Sequence, residues 1–256
     1  MSEDRSVLTR EAPPPDRVLR YGPEPDHVVD VRDGRGDEGA RPLVALVHGG
    51  FWRPRYDRLH VRPMTAALAE AGWSTAAIEY RRIPGRPDLS VADVATALHG
   101  LAELTGRPLL PAGHSAGGHL VLHAAAEPVA AFAGVVALAP VADLLLAERQ
   151  GLGDGAVAAF LGATAASRPD LDPVRRAAPA CAVQIVHGDA DEIVPVAVSE
   201  SYRRAHPAAV LHRVDAGHFA LIDPRSPAWA AVLSALADLD PTGPDEGSGG
   251  QERGAS

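Results

Sequence analysis

The sequence predicts an α/β fold with a mostly parallel central sheet flanked by helices, carrying a short cap or none. Three observations predict it. Apolar runs of strand length alternate with segments of helical spacing along most of the chain, the pattern of βαβ units. Several runs are apolar throughout, as strands covered on both faces must be. Residues able to do chemistry gather just after those runs, where the carboxyl ends of parallel strands meet.

The elements follow in order. Residues 1–16 are polar, contain Pro13-Pro14-Pro15, and read as a flexible arm. Residues 17–21 and 27–32 alternate like two short strands around the turn residues Gly22, Pro23 and Pro25. A charged, glycine-rich loop over 33–39 leads to an apolar strand at 42–47, which ends in His48-Gly49-Gly50-Phe51-Trp52. The 53–60 loop carries Arg53, Arg55, Tyr56, Asp57 and Arg58. Met64, Leu68 and Ala71 give residues 61–71 helical spacing, and Gly72 stops them. Residues 73–80 form the next strand. Ser90-Val91-Ala92-Asp93 resembles a capping box, which predicts a helix from there to about residue 104, ended by Gly106. A strand at 108–112 feeds Gly113-His114-Ser115-Ala116-Gly117-Gly118-His119-Leu120, which opens a helical segment. Residues 132–139 form another apolar strand, which Asp143 follows. The stretch 144–179, with glycines at 151, 153, 155 and 162, predicts two or three short helices and no long cap. A strand at 182–186 ends in His187-Gly188-Asp189-Ala190-Asp191, and Pro195 starts a helix over 196–205. The last strand, 210–214, ends in Asp215-Ala216-Gly217-His218-Phe219 before an amphipathic helix at 228–239. Residues 241–256, with Gly-Ser-Gly-Gly inside, are expected to be disordered, leaving one domain over 17–240.

Composition narrows the function. A chain of 256 residues, 46% hydrophobic and 22% charged, is enough for one domain with a substantial core. Its net charge of −9 argues against a nucleic-acid partner. All 24 basic residues are arginine, which with the abundant alanine reads as codon bias. The single Cys181 excludes an intrachain disulfide and reads as a small buried hydrophobe. No apolar run approaches the ~20 residues that span a bilayer. The polar start Met1-Ser2-Glu3-Asp4-Arg5 carries no leader, so a cytoplasmic location without membrane partners is expected.

Ser115 is the centre of the candidate chemistry. A serine flanked by glycines between a strand and a helix sits in a turn so tight that neighbouring side chains would collide, and only glycine permits the approach. Ala116 then presents its N–H at a helix N-terminus, where developing negative charge is favoured. A serine hydroxyl needs a base within hydrogen-bond reach, and the base needs a carboxylate to fix its tautomer. His218, after the last strand, suits the base. Asp191 suits the acid, with Asp143 a competitor and Asp189 less suited. His48, His114 and His187 suit structural hydrogen bonding. His119 and His123 stand i, i+4 on one helix but lack a third ligand at useful spacing, so no metal is expected. The glycines of His48-Gly49-Gly50 turn backbone N–H groups inward, making Gly50 and Phe51 candidate oxyanion donors beside Ala116. Phe51, Trp52 and Tyr80 are candidate pocket walls, or core packing in the case of Trp52 and Tyr80.

His48 to Trp52, Glu79-Tyr80-Arg81, the Gly113 to Leu120 motif, His187 to Pro195 and Gly217-His218-Phe219 together resemble the α/β-hydrolase superfamily. Within it the chain is similar to the branch of kynurenine formamidases and small carboxylesterases. Phe51 stands where formamidase-like members have tyrosine, and Gly118 where they have alanine. The resemblance implies an α/β-hydrolase fold and the chain order Ser115, Asp191, His218. It implies acyl transfer on a small-molecule ester or activated amide, with no metal or organic cofactor. A short-acyl carboxylesterase is the expectation, an arylformamidase the alternative, and a non-catalytic binding protein the third.

Overall fold

In the computed structural model, residues 3–37, 39–127 and 132–242 are described. Among these residues eight strands form one sheet: β1 (Arg17–Arg20), β2 (Val28–Arg32), β3 (Leu43–Val47), β4 (Thr75–Ile78), β5 (Leu109–His114), β6 (Val135–Leu138), β7 (Val183–Gly188) and β8 (Val210–Val214). Their order is β1-β2-β4-β3-β5-β6-β7-β8. β1 pairs antiparallel with β2, and β2 with β4, while every other pairing is parallel. The order reverses at β3: the chain goes out to β4 and returns across β3 to β5. A crevice opens at such a switch point, beyond the carboxyl ends of β3 and β5.

Two apolar layers cover the sheet. Along β3, Leu43, Ala45 and Val47 join one cluster, and Val44 and Leu46 the other, the period-two alternation of a strand buried on both faces. α1 (Arg62–Glu70) and α7 (Trp229–Ala237) bury Met64, Leu68, Val232 and Leu236 in the second cluster. α2 (Pro87–Thr105), α3 (Ala116–Ala125) and α6 (Ala197–Ala205) bury Leu98, Leu120 and Tyr202 in the first. α4 (Leu144–Arg149) and α5 (Leu152–Leu161) lie between β6 and β7, and α5 opens with Gly153, Asp154 and Gly155 in left-handed conformation.

Several expectations change. α2 begins at Pro87, three residues ahead of the expected capping box, because proline is already set for a first helical turn. Ser90 and Asp93 do not cap it. The Ser90 hydroxyl donates to the Arg81 carbonyl at 2.6 Å, and Asp93 takes His27 at 2.9 Å and Arg81 at 2.6–2.9 Å. Cys181 precedes β7 and is only half-buried. Residues 3–16, expected as a flexible arm, lie packed on the domain. Val7 is 1% exposed in the cluster of α1 and α7, Arg10 pairs with Asp223 at 2.8 Å, and Arg32 donates to the Pro14 carbonyl at 2.8 Å. The expected tail lies outside the described residues from position 243 onward.

α3 meets the sheet backbone to backbone. A methyl group on Gly117 would stand 2.1 Å from the Val47 carbonyl oxygen, and one on Gly113 would stand 2.3 Å from the Gly117 oxygen. Backbone cannot yield there as a side-chain tip can. Gly117→Ala is therefore expected to cost about 3 kcal/mol, the upper range of overpacking, measured by urea unfolding. A loss below about 0.5 kcal/mol would contradict this packing.

Candidate active site

Ser115 follows β5 with φ 56 and ψ −116, a conformation that a non-glycine residue holds only when its surroundings enforce it. Its N–H donates to the Leu138 carbonyl at 2.8 Å, and its own carbonyl accepts from His119 at 3.1 Å and Val141 at 3.2 Å. Ser115 lines a cavity of about 410 Å³ together with Gly50, Phe51, His114 and His218.

His218 Nδ1 lies 2.7 Å from Asp191 Oδ2. The other Asp191 oxygen accepts the N–H groups of Ile193 at 2.8 Å and Val194 at 2.7 Å. Burial pushes the Asp191 carboxyl up, but hydrogen bonds from His187 and His218 and the Val194 N–H outweigh it, so the group is held below its ordinary value. An ionised Asp191 fixes the proton of His218 on Nδ1 and leaves Nε2 as the acceptor. Asp143 is engaged elsewhere. It caps α4 through the Leu146 N–H at 2.8 Å and accepts the Ser201 hydroxyl at 2.6 Å. His114 supports the candidate base, donating from Nε2 to the His218 carbonyl at 3.1 Å. Burial, then the nearby His218, push its imidazole well below the ordinary value.

The loop after β3 is strained throughout, with Gly50, Phe51 and Trp52 at φ 113, 51 and 54. Glycine is needed for contact as well. A methyl on Gly49 would stand 2.8 Å from the His114 carbonyl and 3.0 Å from Ser115 Cβ, and one on Gly50 would stand 2.5 Å from Tyr56 Cβ and 2.7 Å from its ring. Gly50 and Phe51 thus reach the cavity wall, and Ala116 adjoins it as the first residue of α3. Glu79, at the end of β4, holds the loop. It accepts from His48 Nε2 at 3.0 Å and from the Arg58 N–H at 3.0 Å, and pairs with Arg82. Burial raises the Glu79 carboxyl, yet His48, Arg82 and the Arg58 N–H together bring it down to about 2. The signal for this role was a lone acidic residue ending an apolar strand.

Trp52 and Tyr80 are not pocket walls. Trp52 is buried, stacked on Phe160 with ring centroids 4.4 Å apart. Tyr80 is fully buried, stacks on His48 and donates to its carbonyl at 3.1 Å. Both rings face away because strand and loop turn them into the layer beneath. Further walls come from elements the motifs did not mark, among them Arg5, Leu8, Tyr56, His60 and Leu152. Among the described residues no group of three or more His, Cys, Asp or Glu is arranged to hold a metal. Nor is any helix among them long and apolar enough to cross a membrane.

This architecture is that of the α/β hydrolases. Residues 29–205 match the BD-FAE family model, and the chain belongs to that family. It is 33% identical to "Probable carboxylic ester hydrolase LipM" of Mycobacterium tuberculosis (strain ATCC 25618 / H37Rv), over 47% of this chain and 33% of that protein. The chain thus spans about a third of that relative's length. Among solved structures it resembles a truncated carbohydrate esterase from gut microbiota, with TM-score 0.74, 16% identity, and 89% and 99% of the two chains covered. It also resembles esterase B of Lactobacillus rhamnosis, solved with a C4-C4 tributyrin phosphonate inhibitor, at TM-score 0.70 and 19% identity over 90% and 88% of the chains. At these identities the structures establish the fold.

His119 and His123 are buried on α3, and His119 donates to the Leu171 carbonyl at 2.8 Å. Burial is the main reason that their imidazoles are pushed down to about 3 and about 4. The unfolded chain protonates both below about pH 6.5, while the folded one does not until far lower. Their contribution to stability is therefore full above that pH and is lost as pH falls toward 4, at up to about 1.4 kcal/mol per unit for each. Urea unfolding between pH 7 and 4 is expected to show a shallower slope in His119→Asn/His123→Asn than in wild type. Equal slopes would contradict the burial argument.

Proposed function

We propose that this protein is a serine carboxylesterase for short-acyl esters of small alcohols. The observation that supports it best is the Asp191–His218 hydrogen bond, with His218 lining the same cavity as Ser115, a serine held at φ 56. In this reading Ser115 attacks the ester carbonyl as His218 Nε2 takes its proton. Negative charge on the carbonyl oxygen rests on the N–H groups of Gly50, Phe51 and Ala116. His218 then protonates the departing alcohol, and a water activated by the same ring releases the acid. Each group acts where it costs no reorganisation, since the strained loop and the helix N-terminus are already aimed. The arylformamidase alternative uses the same groups on a formamide nitrogen and rests on the motif likeness alone.

Ser115→Ala is expected to lower kcat on p-nitrophenyl butyrate by roughly 10³-fold or more. Asp191→Asn should lose about 10³–10⁴-fold by leaving His218 in the wrong tautomer. Asp143→Asn, which keeps a capping oxygen, should stay within about threefold. If Asp143→Asn is the crippled variant, the acid has been assigned one strand too far along.

Size sets the acyl preference. A cavity of about 410 Å³ suits a compact ligand, and Phe51 narrows it beside the candidate oxyanion donors. The Phe51 ring packs over Gly153, where an added methyl would stand 2.9 Å from it. A long chain would hold the carbonyl away from Ser115. Across acetate, butyrate, octanoate and palmitate esters of one alcohol, kcat/KM should peak at butyrate or shorter. A peak at octanoate or beyond would replace this reading with a lipase-like one, and N-formylkynurenine turnover above every ester would favour the formamidase.

A further inference from the structure

Glu3 comes from the far end of the chain, yet its carboxylate joins the two loops that carry the candidate acid and base. Its oxygens accept the backbone N–H of His218 at 2.8 and 3.0 Å, and one of them also accepts the N–H of Glu192, next to Asp191, at 3.2 Å. Backbone groups at the mouth of a cavity are ordinarily left to water. Here a carboxylate replaces it, and hydrogen bonds to an ionised acceptor are about twice as strong as neutral ones.

Gly217 shows that the seat is built for this side chain. Its φ lies outside the left-handed region, so the backbone alone does not call for glycine. The three heavy atoms nearest to an added methyl group all belong to the Glu3 carboxyl, at 2.4, 2.8 and 2.9 Å. Glycine at 217 leaves the space that Glu3 fills. The segment that delivers Glu3 is anchored independently, through buried Val7, the Arg10–Asp223 pair and Arg5 lying 5.5 Å over the Phe219 ring. Glu3 and Arg5 therefore hold His218 and the residue after it from the same side.

We propose that Glu3 is a positioning residue: seated in the gap left by Gly217, its carboxylate staples the Asp191 and His218 loops together and keeps the His218 ring in line with Ser115. The inference rests on the esterase reading above.

The test uses the full chain and four variants, Glu3→Ala, Glu3→Gln, Gly217→Ala and Glu3→Ala/Gly217→Ala, at a temperature well below each midpoint of unfolding. For each, kcat and KM on p-nitrophenyl butyrate and the rate of inactivation by a fluorophosphonate are measured. Glu3→Ala should lower kcat and the inactivation rate about tenfold, the scale of one lost charge-assisted hydrogen bond, with KM within about twofold. Glu3→Gln, which keeps one acceptor oxygen, should recover part of the loss. Gly217→Ala should match Glu3→Ala, and the double variant should be no worse than either, because the methyl acts only by displacing Glu3. Unchanged kcat with a lowered unfolding midpoint, or additive losses in the double variant, would overturn the proposal. Should Glu3→Ala fail to fold, Gly217→Ala decides with Glu3→Gln: a loss in Gly217→Ala that Glu3→Gln shows only in part supports the staple, and full activity in Gly217→Ala overturns it. A wild-type protein inert to both ester and fluorophosphonate would overturn the esterase reading, a result distinct from a reactive wild type with equally reactive variants.

Discussion

The site depends on one backbone contact, the seating of the first turn of α3 against the end of β3. Gly117 lies so close to the Val47 and His48 carbonyls that a methyl group would stand 2.1 and 2.6 Å from their oxygens. That approach forces β5 to turn into α3 within one residue, and Ser115 takes up the turn at φ 56. It also brings the loop after β3 alongside, so that Gly49 and Ser115 touch. The strained serine, the inward-turned loop and the helix N-terminus are consequences of the same seating. Strain of this kind persists because the layers around it over-determine the conformation.

The second requirement is charge placed beneath the loop. Glu79 is buried with His48 and Arg82, while Asp30 accepts from Arg58 Nε at 2.8 Å and Arg62 Nε at 2.9 Å. Burying such groups is unfavourable unless every charge is answered, and here each carboxylate has at least two partners. The return is geometric: His48 and Arg58 bracket the loop and are both tied to Glu79. A loop held from below keeps its shape without a substrate to order it, as the proposed oxyanion role of Gly50 and Phe51 requires. The same economy appears at Asp191, whose two oxygens are divided between His218 and the backbone of its own turn.

The centre of the sheet was legible because its strands are buried on both faces and read as unbroken apolar runs. The crevice was legible because glycines at 49, 50, 113 and 117 are needed for close approach, and that need is local in sequence. Where the expectations failed, the deciding contacts were distant. Ser90 and Asp93 have the spacing of a capping box, but Pro87 starts the helix first and Arg81 and His27 claim the carboxylate. Residues 3–16 look like a solvated arm by composition, and nothing near Glu3 announces a partner 215 positions away. For Trp52 and Tyr80, adjacency to the motifs left wall and core both open, and side-chain direction sends both into the core.

The central claim is that Ser115, the loop after β3 and the N-terminus of α3 converge on one carbonyl. A crystal structure of the protein treated with a short-chain alkyl phosphonate tests it most directly. The account predicts phosphorus bonded to Ser115 Oγ and the phosphonyl oxygen within hydrogen-bond distance of the Ala116 N–H and of Gly50 or Phe51. The alkyl chain should lie in the cavity beside Phe51. Phosphorus on another residue, or a phosphonyl oxygen turned to solvent with those N–H groups unused, would contradict it.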